Sequence, residues 1–237
     1  IWNIKYTFNS IRSLLESKIS LDVVSICTPI EEHYSNIKQI VKLSPKVIFC
    51  EKPLGKDIKD SRNILKICGD HNIKLVVNYT RRWDPELQKF KLNLNKNKFG
   101  KLRSIDIKFN NGILNYGSHV FDTLLFIFDD NYNKFKRIKL LDEDMYYDMF
   151  KLFYDKLPIY VTMEKTDDFS LLEMKFNFFD KQIMMLNGGR DWSYRKIVKD
   201  TNFRDNYIYG KIKFKKGNVI ETLPKAILEI QNILEFN

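Results

Sequence analysis

Residues 21–27 read LDVVSIC, an apolar run of the length that a buried β-strand requires. A helical pattern follows at 31–43, a second apolar run at 46–50, a helical pattern at 57–70 and a third apolar run at 74–78. Strands that alternate with helices in this way predict a parallel sheet with right-handed crossover connections. The sequence therefore opens with an α/β domain.

The pattern changes after Gly100, where most segments alternate apolar and polar residues. Strands are predicted at 102–109, 159–164, 171–178, 182–186, 207–214 and 218–222, and helices at about 113–128 and 223–234. Alternating strands in long succession are typical of an antiparallel sheet. We predict two domains: α/β over residues 1–99, then α+β over residues 100–237 with a mainly antiparallel sheet.

Composition excludes several classes of protein. The formal charge is +10, but the lysines are spread along the whole chain among 30 acidic residues and form no basic stripe. We therefore expect no nucleic-acid partner and keep a basic nucleic-acid binder only as a third, minor hypothesis. No apolar stretch approaches the roughly 20 residues that cross a bilayer, so no membrane association is expected.

The cysteines and histidines are too few and too far apart for a zinc site, and no metal is predicted. Three cysteines, an odd number, lie in apolar stretches or a predicted helix, as free thiols do in a reducing compartment. We expect a cytoplasmic protein.

Polar motifs follow the three apolar runs. Thr28-Pro29 comes after the first, Glu51-Lys52-Pro53 after the second and Tyr79-Thr80-Arg81-Arg82 after the third. Ligands of open parallel sheets bind beyond the carboxyl ends of the strands, so these motifs predict a site at that edge. A further motif, Asn115-Tyr116-Gly117-Ser118-His119, falls in a predicted helix. A lysine and a histidine that act on one carbon bearing a hydroxyl are suited to hydride transfer.

With these motifs the chain resembles the glucose-fructose oxidoreductase and inositol dehydrogenase family, written Gfo/Idh/MocA. The matching stretches are VVSICTP at 23–29 with His33, CEKPL at 50–54, NYTRRWDP at 78–85, and GSH at 117–119 with Asp122. Together they cover residues 1 to about 130. The resemblance implies a Rossmann-type first domain, NAD or NADP as cofactor, and reversible hydride transfer to or from a secondary alcohol of a sugar, nucleotide-sugar or cyclitol.

From these motifs and the resemblance we predict three catalytic residues: Lys52, His119 and Asn115. A histidine with a pKa near 6.5 is mostly neutral at pH 7, whereas a lysine near 10.4 is almost fully charged. His119 is therefore the better base, and Lys52 the better charged donor to the reacting oxygen. The resemblance also permits Lys52 as the proton relay, and a core histidine remains an alternative for His119. Asn115, four residues before His119, would share its helical face and orient it.

The resemblance also implies binding residues. Those for the cofactor are Thr28, Pro29, His33, Glu51, Lys52, Arg82 and Trp83, and those for the substrate are Tyr79, Arg81, Asn115 and His119. Glu51 would contact the nicotinamide ribose. The alternatives are a strand-end carboxylate for Glu51, strand termination for Thr28 and Pro29, and a surface ion pair for either arginine.

The chain departs from the family at two points. It contains no G-x-G-x-x-G phosphate loop, and residues 5–8 with a helix at about 9–17 look like the family's third strand and its helix. We therefore expect a protein that lacks the first two strands and ends before the usual last helix, that binds dinucleotide weakly on its own, and that is a homo-oligomer when full length. Where much of the family has aspartate the chain has Asn115, and its resemblance in this to members similar to nucleotide-sugar or surface-polysaccharide enzymes favours a substrate of that kind.

The rival hypothesis is a non-catalytic remnant of this fold. Such a protein would be unable to bind cofactor and would act at most as a binding or assembly module.

Overall fold

A computed structural model describes residues 4–217 and 222–235. The chain divides into two compact units, the first running up to Tyr79 and including the segment from Ile227, and the second running from Thr80 to Ala226. The expected boundary at residue 99 lies some twenty residues later in the chain than the one observed.

The first unit contains a three-stranded parallel sheet. Its strands are β1 (Val23–Ile26), β2 (Val47–Cys50) and β3 (Lys74–Val77), and its helices are α1 (Ile11–Glu16), α2 (His33–Ile40) and α3 (Ile58–Asp70). The strands lie in the order β1-β2-β3, with β2 fully buried between its neighbours. This is the predicted Rossmann-type arrangement, and that part of the predicted fold class is confirmed.

Local sequence explains where these elements begin and end. Asp57 caps α3 by accepting a hydrogen bond from the backbone N–H of Asp60 at 2.7 Å, as N-cap carboxylates do. Ile37 on α2 and Ile64 on α3 are both fully buried and pack in one cluster with Ile48 of β2. The apolar faces of the two helices thus hold the sheet.

The strand expected at residues 5–8 is not observed. Residues 4–8 are exposed and carry no strand, although α1 follows close to its expected position. An isolated extended segment has no ladder hydrogen bonds to stabilise it. Among the described residues, the β1 edge of the sheet pairs only with β2.

The second unit contains a nine-stranded, mainly antiparallel sheet, which confirms the second part of the predicted fold class. Its strands are β4 (Leu102–Phe109), β5 (Phe135–Glu143), β6 (Tyr147–Tyr154), β7 (Leu157–Glu164), β8 (Leu172–Phe178), β9 (Lys181–Leu186), β10 (Asp191–Lys199), β11 (Tyr207–Tyr209) and β12 (Lys213–Lys216). Eight lie in the order β11-β10-β9-β8-β4-β7-β6-β5, and β12 pairs with β10. Among the described strands of this sheet, only β4 and β7 form a parallel pair.

Helices α4 (Pro85–Asn95) and α5 (Ser118–Ile127) complete the core of this unit, and α6 (Thr222–Glu235) is the last helix of the chain. Phe90 of α4 is buried, with its ring 4.4 Å from that of Phe176 and 5.5 Å from Trp192. Because α4 buries its apolar residues against this sheet, it belongs to the second unit. The sequence does not show which sheet α4 packs against, and the predicted boundary was therefore placed after α4.

Three strands were not predicted: β5, β6 and β10. The predicted strand at 207–214 is two strands, because the register against β10 shifts by one residue between Ile197↔Tyr209 and Tyr194↔Lys213. An extra residue of this kind is a β-bulge. The strand expected at 218–222 falls almost wholly outside the described residues, and Thr222 begins α6 instead.

Among the residues described, none of the helices has the length and apolar character needed to cross a membrane.

Candidate functional site

The carboxyl ends of the parallel strands bring polar groups together in the first unit. The backbone N–H of Glu51 donates to Ile26 at 2.9 Å and that of Asn78 donates to Cys50 at 2.8 Å, so both residues continue the ladder just past their strands. The Asn78 side-chain amide donates to Glu51 Oε1 at 2.7 Å. Asn78 Oδ1 is buried and has no hydrogen-bond partner among the described residues. This edge therefore presents an oriented carboxylate and an amide oxygen able to accept another hydrogen bond.

His33 ties two of the strand-end loops together. It is 1% exposed, with Nε2 2.9 Å from the Thr28 carbonyl and Nδ1 3.2 Å from the Leu54 carbonyl. The Cys50 thiol lies 3.5 Å from Nδ1, and burial raises the pKa of that thiol to about 12, so it stays protonated. His33 thus positions the loops after β1 and β2. Its ring is committed to them.

The other residues predicted in this unit lie near the same edge. Thr28 is half-buried, and its hydroxyl accepts a hydrogen bond from Asn36 at 3.0 Å, whereas Pro29 is exposed. Lys52 is half-buried and precedes Pro53 across a cis peptide bond. Tyr79 is half-buried directly after Asn78.

In the second unit the motif at 115–119 straddles a change of helix type. A π-helical turn covers Gly112–Gly117, and α5 begins at Ser118. Asn115 is exposed in the π-turn, whereas His119 is 8% exposed in the first turn of α5. Because a π-turn is wider than an α-turn, the four-residue spacing no longer fixes a shared face. π-Turns inside helices are frequent at functional sites.

Arg82 adopts the ion-pair alternative. Its Nε donates to both Asp122 carboxylate oxygens at 2.9 and 3.0 Å, and its Nη2 lies 2.6 Å from Asp130 Oδ1. Asp122 is 8% exposed, and burial raises the pKa of its carboxyl to about 6 despite the arginine. The hydrogen bond from Arg82 lowers the pKa of the more exposed Asp130. These contacts fasten the turn at Thr80–Trp83 to α5.

Arg81, one residue earlier, lies in a different setting. It lines a cavity of about 480 Å³ that belongs entirely to the second unit. The lining comprises Thr80, Arg81, Asp84, Tyr116, Ser170, Leu172, Asn187, Gly188, Arg190, Asp191 and Thr222. Arg81 Nε is buried without a hydrogen-bond partner among the described residues, and burial lowers the pKa of its guanidinium. The cavity thus contains a desolvated arginine whose donors are incompletely satisfied.

Two consecutive glycines allow this arrangement. Gly188 has a φ of +69°, and a Cβ there would lie 2.9 Å from Arg81 Nη2. Gly189 has a φ of +103°, and its Cβ would lie 3.1 Å from Asp84 Oδ2. Only glycine adopts such backbone angles at little cost while leaving room for both side chains. The turn between β9 and β10 is therefore shaped to receive Arg81 and Asp84.

Sequence reasoning missed several polar residues of both units. Asn78 could have been recognised as the first residue after the third strand, and Gly188-Gly189 as a glycine pair between two strands. Trp83, by contrast, is one of the residues that the sequence predicted for the cofactor, and its indole N–H is buried without a hydrogen-bond partner among the described atoms. Arg190 and Ser170 carried no signal at all.

Comparison with known proteins finds a family similarity in the first third of the chain. Residues 2–79 match the Gfo/Idh/MocA family model, described as "Oxidoreductase family, NAD-binding Rossmann fold". The chain is 32% identical to the inositol 2-dehydrogenase of Rhizobium meliloti over 93 residues, 39% of this chain but only 28% of that protein. The aligned region is thus under a third of that relative's length.

Solved structures agree on the fold of both units. A dehydrogenase from Clostridium difficile is similar with a TM-score of 0.69 at 18% identity, over 95% of this chain and 73% of that one. An inositol dehydrogenase homologue from Azotobacter vinelandii, solved with NADH and myo-inositol, gives a TM-score of 0.67 at 12% identity, over 88% of this chain and 60% of that one. The predicted resemblance is confirmed.

Proposed function

We propose that the chain is part of an NAD(P)-dependent oxidoreductase, because residues 2–79 match the Gfo/Idh/MocA oxidoreductase family model. The reaction is reversible hydride transfer between nicotinamide and a secondary alcohol of a sugar, nucleotide-sugar or cyclitol. The similarity to an inositol 2-dehydrogenase supports a polyhydroxylated substrate. The bound nicotinamide would supply the hydride chemistry, and the protein the orientation and electrostatics.

One observation carries this proposal: the acceptor groups at the carboxyl ends of the strands. The hydroxyls of a nicotinamide ribose are donors, and Glu51 with the unpartnered Asn78 Oδ1 offers acceptors to match them. The chemistry of this set therefore fits the ribose half of the cofactor. The position also matches the rule that open parallel sheets bind ligands beyond their carboxyl ends.

Lys52 and His119 are the proposed catalytic residues, on the strength of their motifs. Lys52 would donate to the reacting oxygen and stabilise developing alkoxide charge, and His119 would accept the hydroxyl proton. Asn115 would orient the histidine or the substrate. Thr28, Pro29 and Tyr79 are proposed to line the pocket through the loops that His33 holds.

A second candidate function rests on a different observation. The 237 residues include no G-x-G-x-x-G motif, and the helix N-terminus that seats the pyrophosphate in dinucleotide-binding folds begins with that motif. These residues taken alone present only the ribose half of the site and would bind dinucleotide weakly. A role as a binding or assembly module would fit weak binding better than a role as an enzyme.

Titration with reduced nicotinamide mononucleotide tests the proposal directly, since that molecule carries the ribose half without the pyrophosphate. The expected result is a saturable change in its fluorescence, with an affinity that Glu51→Ala weakens at least tenfold and Glu16→Ala leaves unchanged. Glu16 is the matched control because it is exposed in α1 of the same unit. NADH and NADPH titrated in parallel measure what the adenine half adds.

The two candidates predict different outcomes. If neither the mononucleotide nor the dinucleotides bind to folded protein, the oxidoreductase proposal fails and the binding module is favoured. Oxidation of a polyol panel with NAD or NADP, lost in His119→Ala, would establish the enzyme.

A further inference from the structure

We propose that the cavity of the second unit binds an anionic group, a carboxylate or a phosphoryl group carried by the substrate, through Arg81 and Arg190. This inference takes the sugar-like substrate from the proposed function and adds its charge. It depends only on residues of one compact unit, from Thr80 to Thr222.

The charges that line the cavity leave one positive charge in excess. Asp191 accepts from Lys216 Nζ at 2.6 Å, which neutralises that carboxylate. Of the remaining lining groups, Arg81 and Arg190 are cationic and Asp84 is the single acid. Burial also raises the pKa of Asp84, which weakens its claim as a counter-ion. A singly charged anion would balance the set.

Arg81 is the group that an anion would satisfy. Its Nε is inaccessible to solvent and has no hydrogen-bond partner among the described residues, and a buried polar group in that condition is destabilising. Its Nη2 occupies the space beside Gly188, where a Cβ would come within 2.9 Å of it, so the guanidinium points toward this turn. Arginine in such a position suits bidentate contact with carboxylate or phosphate.

Neutral donors extend the same recognition. The Tyr116 hydroxyl donates to Ser170 Oγ at 2.9 Å, which leaves the Ser170 proton available for a ligand oxygen. The side-chain amide of Asn187 donates to Asp191 at 2.8 Å, fixing the turn before Arg190. A cavity of about 480 Å³ has room for a monosaccharide that carries such a group.

Calorimetric titration of this chain at one fixed ionic strength tests the inference. The probes are glucuronate, glucose 6-phosphate, glucose and inorganic phosphate. We expect the acidic sugars to bind at least tenfold more tightly than glucose, and the tighter of the two to identify the anionic group. Arg190→Gln should weaken them at least tenfold, and Arg204→Gln, which changes an exposed arginine of a loop of the same unit, by less than twofold.

Gly188→Ala provides a second variant that leaves both arginines in place. The added Cβ would displace the Arg81 guanidinium. It should weaken the binding of the acidic sugars without affecting the binding of glucose. The inference is overturned if glucose binds as tightly as glucuronate, if Arg190→Gln leaves the affinities unchanged, or if inorganic phosphate binds as tightly as the acidic sugars.

The outcome is separable from that of the proposed function. Arginine-dependent binding of acidic sugars without any nicotinamide binding would sustain the inference while the oxidoreductase proposal fails. Turnover of neutral polyols that is indifferent to Arg190→Gln would do the reverse.

Discussion

Replacing Asp122 by asparagine should change the way stability depends on pH. The pKa of this carboxyl is raised from 3.8 to about 6, chiefly by burial, although Arg82 lies 2.9 Å away. The two effects oppose each other, and desolvation outweighs the attraction, as it often does for buried ion pairs. The folded protein therefore binds a proton at Asp122 under conditions in which the unfolded chain does not.

The direction in which stability changes with pH follows from the linkage between protonation and folding. Between about pH 4 and pH 6 the folded state holds the proton and the unfolded state does not, so stability falls as pH rises. The difference between 3.8 and about 6 corresponds to about 3 kcal/mol at about 1.36 kcal/mol per pKa unit. This contribution is fully present below pH 3.8 and is lost as the pH rises through about 6.

Urea unfolding followed by tryptophan fluorescence measures the free energy of unfolding at each pH. Trp83 and Trp192 both lie in the second unit, as Asp122 does, so they report on its unfolding. Relative to Asp122→Asn, the parent should lose about 3 kcal/mol of unfolding free energy between pH 4 and pH 7. The pKa of Asp84 is also raised by burial, but Asp84 is present in both proteins, so its contribution to the pH dependence cancels in the comparison.

Asp130→Asn is the matched control, since Asp130 contacts the same arginine but has a lowered pKa. The stability that Asp130 contributes is present above its unfolded pKa and is lost as pH falls, so the slope should have the opposite sign. Parallel pH profiles for the parent and Asp122→Asn between pH 4 and pH 7 would refute the reasoning.

Three further predictions concern catalysis and the core. Lys52→Met should lower kcat and kcat/KM together in steady-state assays while leaving NADH affinity unchanged; a raised KM with unchanged kcat would instead assign it to uniform substrate binding. His119→Ala should remove the acid limb of the kcat/KM profile for alcohol oxidation along with most of the activity, and an unaltered profile and rate would count against a histidine base. Phe90→Ala should cost about 3–5 kcal/mol in urea unfolding, whereas Phe179→Ala, 59% exposed, should stay within about 0.5 kcal/mol; equal costs would contradict the assigned core.

The sequence predicted best where a segment is buried on both faces. The run at 47–50 is fully buried in β2 and was recognisable from apolar residues alone. The β5 strand could not be recognised in this way, because it places exposed Ile138 and Leu140 beside lysines at the edge of the sheet. A periodic apolar pattern arises from a buried face, and an edge strand with little buried surface does not show one.

The motif at 115–119 shows a different limit. Spacing predicted that Asn115 and His119 share a helical face, and that holds only for a regular α-helix. The π-turn over Gly112–Gly117 separates an exposed Asn115 from a buried His119. Single-sequence patterns carry no signal for one extra residue in a turn.

Arg81 and Arg82 show why identical neighbours can have different roles. From the sequence, either could form a surface ion pair or grip a ligand. The partners that separate them lie far along the chain: Asp122 and Asp130, 40 and 48 residues after Arg82, and the glycine turn at Gly188 against Arg81. Arg82 donates hydrogen bonds to two carboxylates, whereas the buried Nε of Arg81 has no hydrogen-bond partner among the described residues. Because a buried, unsatisfied cation is costly unless something binds it, the less paired of the two arginines is the better candidate for function.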